Sequence, residues 1–193
     1  MPLSFGAVAN WLQIQGYRLF LVPLGYSDVV GIYSTVSNIG SSGIGVFTTI
    51  YNNHFVPELY SSNGKSLNKF VTLASGMILI TLFTIFILSE FIVSILLSPE
   101  FVIYSKLICF GIIVDGSNII IGAMAIKASI YNKNNLLIFY SLIGVMFSFL
   151  LFVVLFFSKQ ITSFTIGIPL ILSQIMVILI MFKKINSLHQ INK

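Results

Sequence analysis

The sequence predicts an all-α integral membrane protein with six transmembrane helices, and three observations carry that expectation. Hydrophobic residues make up 57% of the 193-residue chain and charged residues only 8%, against roughly a quarter charged in an ordinary globular domain. Ten Lys and Arg with five Asp and Glu cannot cover the outside of a soluble domain of this size, so lipid has to supply most of the surroundings. The mean hydropathy of +1.02 agrees. Finally, charged and turn-forming residues cut the chain into six apolar runs. Each reaches the roughly 20 residues that cross a bilayer, where a backbone without water must satisfy itself as helix. The chain therefore reads as a single membrane domain over residues 1–193, with no room for a sizeable extramembrane one.

The first span runs from about Leu3 to Val22 and closes at Pro23-Leu24-Gly25. Met1-Pro2-Leu3-Ser4 lacks the basic flank and small-residue cleavage site of a secretory signal, so this run is expected to be retained. The second, about Val29 to Val56, closes at Pro57-Glu58. A polar link, Tyr60-Ser61-Ser62-Asn63-Gly64-Lys65, leads to a third span from about Phe70 to Leu97, stopped by Ser98-Pro99-Glu100. Lys106 opens a fourth that reaches about Ser129, and Tyr131-Asn132-Lys133-Asn134-Asn135 follows. The fifth occupies about Leu136 to Phe157. Ser158-Lys159-Gln160 then turns the chain into a sixth span, about Ile161 to Phe182, ahead of a polar tail over residues 183–193.

The few charges alternate between the loops, which sets an orientation by the positive-inside rule. Lys65 and Lys69, Lys127 and Lys133, and Lys183, Lys184 and Lys193 share one side if there are six spans. Asp28, Glu100 and Lys159 take the other, with Lys106 near its edge. Both termini are then expected to be cytoplasmic. The net charge of +5 is spread over these loops without a basic stripe or recognition motif, so no nucleic-acid partner is expected.

The spans differ in kind. The fifth is apolar all round and is expected to face lipid. The second carries Gly31, Ser34, Thr35, Ser37, Asn38, Gly40, Ser41, Ser42, Gly43, Gly45, Thr48 and Thr49, small residues that permit close helix packing or line a wet cavity. Asn38, Ser41 and Ser42 favour the cavity, because packing alone needs small residues and not polar ones. On the first span Asn10, Gln13 and Tyr17 share one stripe, and Gln15 with Arg18 share the next. Arg18 either faces an interior or snorkels, since an arginine at mid-membrane costs about 2.5–3.5 kcal/mol. On the fourth span Gly111, Asp115, Asn118 and Gly122 recur on one face. Asp115 there is a cation or proton site, the partner of a basic group such as Arg18, or a hydrogen-bonded structural acid. Lys127 and Lys106 lie near opposite ends of this helix, where each snorkels or meets phosphate. Glu90 lies close to the outer surface.

No enzyme is expected. His54 and His189 are far apart and support no metal pair. No serine joins a His and an Asp in a nucleophile setting, no phosphate-binding glycine loop occurs, and nothing calls for a cofactor. Cys109, the single cysteine, reads as a small packed hydrophobe.

The stretch Gln15-Gly16-Tyr17-Arg18-Leu19-Phe20, followed by Leu24-Gly25-Tyr26-Ser27-Asp28-Val29-Val30-Gly31-Ile32-Tyr33-Ser34, resembles the opening of a half-repeat in bacterial polysaccharide flippases. Asn53-His54-Phe55-Val56-Pro57, Leu96-Leu97-Ser98-Pro99-Glu100-Phe101 and the segment from Lys127 to Lys133 follow in the same order. These proteins belong to the superfamily that includes multidrug and toxin extruders. The resemblance implies a polysaccharide-biosynthesis component of the bacterial cytoplasmic membrane that flips undecaprenyl-diphosphate-linked oligosaccharide. It also implies that this chain corresponds to the second of two halves, partnered by a first half or by a second copy. Tyr17 stands where the family often has an acid before the arginine, which removes any charge pair at that point. By this resemblance Arg18 is the first candidate for contact with the anion and Lys127 the second. Asn118 orients the sugar, Asp115 holds a coupling cation, and Asn10, Gln13, Asn38, Ser41 and Ser42 line the cavity. A half of a drug or small-solute exporter and a non-transporting membrane scaffold subunit are the alternatives.

Overall fold

The computed structural model describes residues 2–187 and is all-helical, with no strand among them. Six α-helices follow in order: α1 Pro2–Leu21, α2 Ser27–Ser61, α3 Leu67–Leu96, α4 Ile108–Ile130, α5 Asn134–Phe157 and α6 Gly167–Ser187. Among the described residues four segments are long and apolar enough to cross a membrane: α3, the stretch Pro99–Ile130 that contains α4, α5, and α6 as far as Ile185. Polar and small residues keep α1 and α2 out of that set.

The central helix is α4. It packs on α2, α3 and α6, whereas α1 lies mainly on α5, and α5 in turn on α6. Of the apolar window in the segment Pro99–Ile130, 67% is buried, against 11% for α3, so α4 is the core and α3 an outer wall. The tightest join is α2 on α4. A Cβ on Gly40 would strike the Ile108 carbonyl, and one on Gly111 would strike the Ser37 carbonyl. The two helices thus meet backbone to backbone, the close approach that glycine permits. They run parallel, since Ser37 meets Gly111 at one end while Gly64, just past α2, lies against Lys127 at the other.

Several boundaries differ from the sequence reading. Pro57 does not end α2, which continues to Ser61. Leu59 is fully buried, and Tyr51 packs at a tilt on Phe55 and edge to face on Phe70, its hydroxyl donating to the Phe70 carbonyl at 2.5 Å. This packing outweighs the one helical hydrogen bond that proline removes. The turn comes instead at Asn63 and Gly64, both at positive φ. Lys106 does not open α4, because a 3-10 helix over Pro99–Leu107 precedes it. The Lys106 ammonium donates to the Phe86 carbonyl at 3.1 Å and to Ser89 Oγ at 2.9 Å, and it pairs with Glu90 at 3.5 Å. That tie fixes the 3-10 segment on α3.

The last helix starts at Gly167 and not at Ile161. Before it, the Thr162 N–H donates to Thr165 Oγ1 at 2.8 Å, and the Thr165 hydroxyl to the Gln160 carbonyl at 2.7 Å, local bonds that compete with helix. At its other end α6 runs through Lys183 and Lys184 to Ser187, so the first part of the expected tail is helical. His189 and Lys193 lie outside the described residues. Nor is α5 lipid-facing all round. Tyr140, Gly144, Ser148 and Phe152, four residues apart, form a buried stripe. Its signal is side-chain size and polarity, which a reading of hydrophobicity alone does not see.

The α2–α4 join makes a paired prediction. Gly111→Ala should lower stability against unfolding in detergent by about 1–3 kcal/mol, the usual cost of overpacking. Gly43→Ala, with nothing within 4 Å of its Cβ, should be neutral or gain up to about 1 kcal/mol from helix propensity. Equal effects at the two sites would refute a backbone-to-backbone join.

Candidate functional site

Four helices bring polar side chains to one interior region. From α1 come Gln13, Gln15 and Tyr17, from α2 Tyr33, Ser37, Asn38 and Ser41, from α4 Asp115 and Asn118, and from α6 Ser173 and Gln174. The α2–α4 contact explains the placement. Asp115 lies one turn beyond Gly111 on α4, and Ser41 one turn beyond Ser37 on α2, so the polar groups meet where the backbones are closest.

Two hydrogen-bonded strings run through this region. Asn118 Nδ2 donates to Asp115 Oδ1 at 3.3 Å, and Gln174 Nε2 reaches Asn118 Oδ1 at 3.5 Å. Separately, Gln13 Nε2 donates to Ser173 Oγ at 3.1 Å, and the Ser173 hydroxyl donates to the Leu170 carbonyl at 2.9 Å. Gln13 lies against Gly144, where a Cβ would stand 2.6 Å from Gln13 Oε1. Gln15 Oε1 and Gln174 Oε1 are sealed from solvent and have no donor, which is costly in a low-dielectric interior.

Gln15, Tyr33, Asn38, Ser41 and Asp115 line a cavity of about 50 Å³. That volume admits a few waters or an ion, but not a sugar ring. A second cavity, of about 210 Å³, is bounded by Asn10, Asn118, Asn134 and Ser141. Asn118 therefore belongs to the wall of one cavity and is bonded to the acid in the wall of the other.

Arg18 stands at the edge of this region. Its Nε donates to the Tyr17 hydroxyl at 3.1 Å, and its guanidinium lies 5.7 Å from that ring. Tyr17 meets Tyr33 edge to face at 5.5 Å, so Arg18 reaches the cavity through a phenol. No ion pair joins Arg18 to Asp115 among the described residues, and the acid is held by an amide instead.

Two expected site residues lie elsewhere. The Lys127 side chain is 3% exposed and covers Gly64, whose Cβ would stand 2.8 Å from Lys127 Cγ. From Tyr33 to Ser61 the rise along α2 is roughly 40 Å, so Arg18 and Lys127 occupy opposite ends of the bundle. Ser42 lines a different groove of about 490 Å³ among Ile39, Phe47, Ile85 and Ile92. The sequence reading missed Tyr33, Ser173 and Gln174. Ser173-Gln174, a polar pair in the middle of an apolar helix, was a readable signal for the last two.

Among the described residues no group of three or more His, Cys, Asp or Glu side chains is placed to hold a metal ion. His54 is exposed and meets the ring of Phe55 edge to face, and Cys109 is a free, half-buried thiol. No protein-family model, curated protein or solved structure matches the chain.

The two glutamines of α1 should behave differently. Gln13→Leu breaks the bond to Ser173 and should cost about 1–3 kcal/mol. Gln15→Leu removes an acceptor that has no donor and should be neutral or stabilising. Detergent unfolding of both variants measures this, and a loss at Gln15 equal to that at Gln13 would mean that a water or ion in the cavity bonds to it.

Proposed function

We propose that the chain is one half of a transporter that flips an undecaprenyl-diphosphate-linked oligosaccharide across the bacterial cytoplasmic membrane. In this reading all six helices span, and both termini are cytoplasmic. The observation that carries it is the polar string Gln174–Asn118–Asp115 and the cavity beside it, inside the helical bundle. Beside it lies an uncovered face of α2, where Gly31, Thr35, Asn38, Ser42 and Thr49 are exposed. Such a face is costly against hydrocarbon. Covered by a partner half or a second copy, it becomes the wall of a shared, hydrated path. The resemblance over Gln15–Phe20 and Leu24–Ser34 supplies the substrate class.

The physical logic needs no covalent chemistry. A diphosphate cannot cross hydrocarbon, so the path must offer wet polar walls and positive charge, and two halves that rock about a central site provide alternating access. Arg18 is the basic group nearest the polar string and takes the anion role. Asp115, an acid held by the Asn118 amide, takes the coupling role. At 20 and 35 residues, α1 and α2 are long enough to span. They are less apolar because their inner faces line the path.

Topology gives the first test. In a Cys109→Ser background, Lys133→Cys should react with a membrane-impermeant thiol reagent only from the cytoplasmic side, and Lys159→Cys only from outside. Labelling of both from one side would remove the even span count.

Function gives the second. In a flippase-deficient strain, glycan export should return when the chain is expressed with a first half, or alone if it pairs with itself. Arg18→Ala and Asp115→Asn should each reduce that export at least about tenfold, the loss of roughly 1.4 kcal/mol of binding or coupling. Failure of the intact chain in both arms would overturn the flippase reading. Export of a small dye without glycan export would favour the solute exporter.

A further inference from the structure

We propose that the small cavity between α1, α2 and α4 binds a largely dehydrated monovalent cation of the size of sodium. The cavity, of about 50 Å³, is lined by oxygen-bearing side chains from all three helices: Gln15 of α1, Ser37, Asn38 and Ser41 of α2, and Asp115 of α4. No lysine, arginine or histidine is among the residues that line it.

What these walls lack is positive charge. Asp115 lies on a segment long and apolar enough to cross a membrane. It makes no ion pair among the described residues and receives an amide bond from Asn118 at 3.3 Å. An ionised carboxylate accepts about four bonds, and a neutral donor does not offset its charge inside a bundle set in lipid. In the same wall, Gln15 Oε1 is sealed from solvent and has no donor. Gln174 Oε1, on the far side of Asn118 in the string, is in the same condition. Acceptors so placed are costly unless something inside draws on them. A cation in the cavity supplies at once the charge that Asp115 lacks and the partner that Gln15 lacks.

The donor set selects the ion. Carboxylate, amide and hydroxyl oxygens suit hard cations, whereas the softer transition metals take imidazole or thiolate, and among the described residues no group of His, Cys, Asp and Glu could hold a metal ion of that kind. One carboxylate balances one positive charge, so a monovalent ion fits where calcium or magnesium would bring a second, uncompensated charge. A space that admits only a few waters cannot take an ion with its complete hydration shell. Protein oxygens must replace part of that shell, which favours sodium over the larger potassium. Gly111, Ser37 and Ser41 belong to the same walls, so the ion ties α1 to the α2–α4 join. It is also the ion that the coupling role of Asp115 would use, and to that extent the site rests on the function proposed above.

Thermal unfolding of the full chain in detergent, followed by circular dichroism at constant ionic strength in sodium, potassium or choline chloride, reads the site without any transport assay. Sodium should raise the midpoint above potassium and choline, and the rise should follow the filling of one site. Asp115→Asn and Gln15→Leu should each weaken the apparent sodium affinity at least about tenfold. In choline, Gln15→Leu should be as stable as the intact chain or more so, and Asp115→Asn more stable, since it no longer holds an uncompensated charge. Gln13→Leu, outside the cavity wall, should unfold earlier in every salt and keep its sodium shift. An equal rise in sodium and potassium, retained by both cavity variants, would overturn the proposal in favour of a general salt effect. A rise with magnesium or calcium and none with sodium would overturn it in favour of a divalent site, and a midpoint that follows pH and not sodium would do so in favour of a proton on Asp115. Sodium binding in a chain that fails to restore glycan export would leave this site standing while the flippase reading falls. Restored export by a chain whose midpoint ignores sodium would do the reverse.

Discussion

The contact of α2 with α4 is the constraint on which the rest of the bundle depends. Gly40 over the Ile108 carbonyl and Gly111 over the Ser37 carbonyl leave no space for a side chain between the two backbones. Dispersion, and not a hydrophobic driving force, holds helices together in lipid, so this closeness is itself the source of attraction. It also sets the position of the polar groups. Ser37 and Ser41 on α2 and Asp115 on α4 lie within one helical turn of the glycines and therefore meet over a small volume. With α4 fixed on α2, α3 and α6 take its two remaining flanks, and α5 and α1 close the bundle beyond α6.

Charge is distributed so that almost none of it is paired in the interior. The ion pairs Lys69–Glu58 and Lys106–Glu90 are both partly exposed, where such pairs contribute about 0–1 kcal/mol. Lys106 has a further anchor, its ammonium lying 4.6 Å from the Phe86 ring centroid. Lys127 acts through its stem, which fills the space over Gly64 at the α2–α3 turn. Inside, amides and hydroxyls replace ion pairs. Asn118 links Asp115 to Gln174: its amide donates to the acid and accepts from the glutamine, so the string runs in one direction, from Gln174 to Asp115.

Much of this was legible in the sequence, and the rest was hidden for identifiable reasons. The helical class, the number of long runs and the polar stripes of α1 and α4 follow from composition and periodicity, because a membrane leaves the backbone few choices. Asp115 and Asn118 were visible as polar residues on a glycine-bearing face. Tyr33 was not, because a tyrosine in an apolar run reads as interfacial until its neighbour Tyr17 is known. Lys127 misled for the opposite reason: its position near a helix end is compatible with phosphate contact, and only the packing of Gly64 shows that its stem is already committed. The boundaries at Pro57 and Ile161 were wrong because each depends on a competition. Tertiary packing around Leu59 and Tyr51 wins over proline in one, and threonine hydroxyls win over helix in the other.

The two exposed sides of the bundle differ in a way that bears on what surrounds them. On α3 the exposed residues include Leu79, Ile80, Phe83, Ile87 and Phe91, a surface that hydrocarbon solvates without cost. On α2 Thr35, Asn38, Ser42 and Thr49 are exposed, and Asn38 also borders the cavity of Asp115. The Thr49 hydroxyl already donates to the Gly45 carbonyl at 3.1 Å, a back-bond that lets a threonine tolerate an apolar setting. Among the described residues Asn38 has no such bond, and an amide carries two donors that no lipid tail accepts. One wall of the bundle is thus suited to lipid, while another carries groups that bond better to water or protein than to hydrocarbon. Asn38 stands at the junction of that polar wall with the buried acid, so under the proposed function it is the point at which a partner half or a second copy would meet the interior.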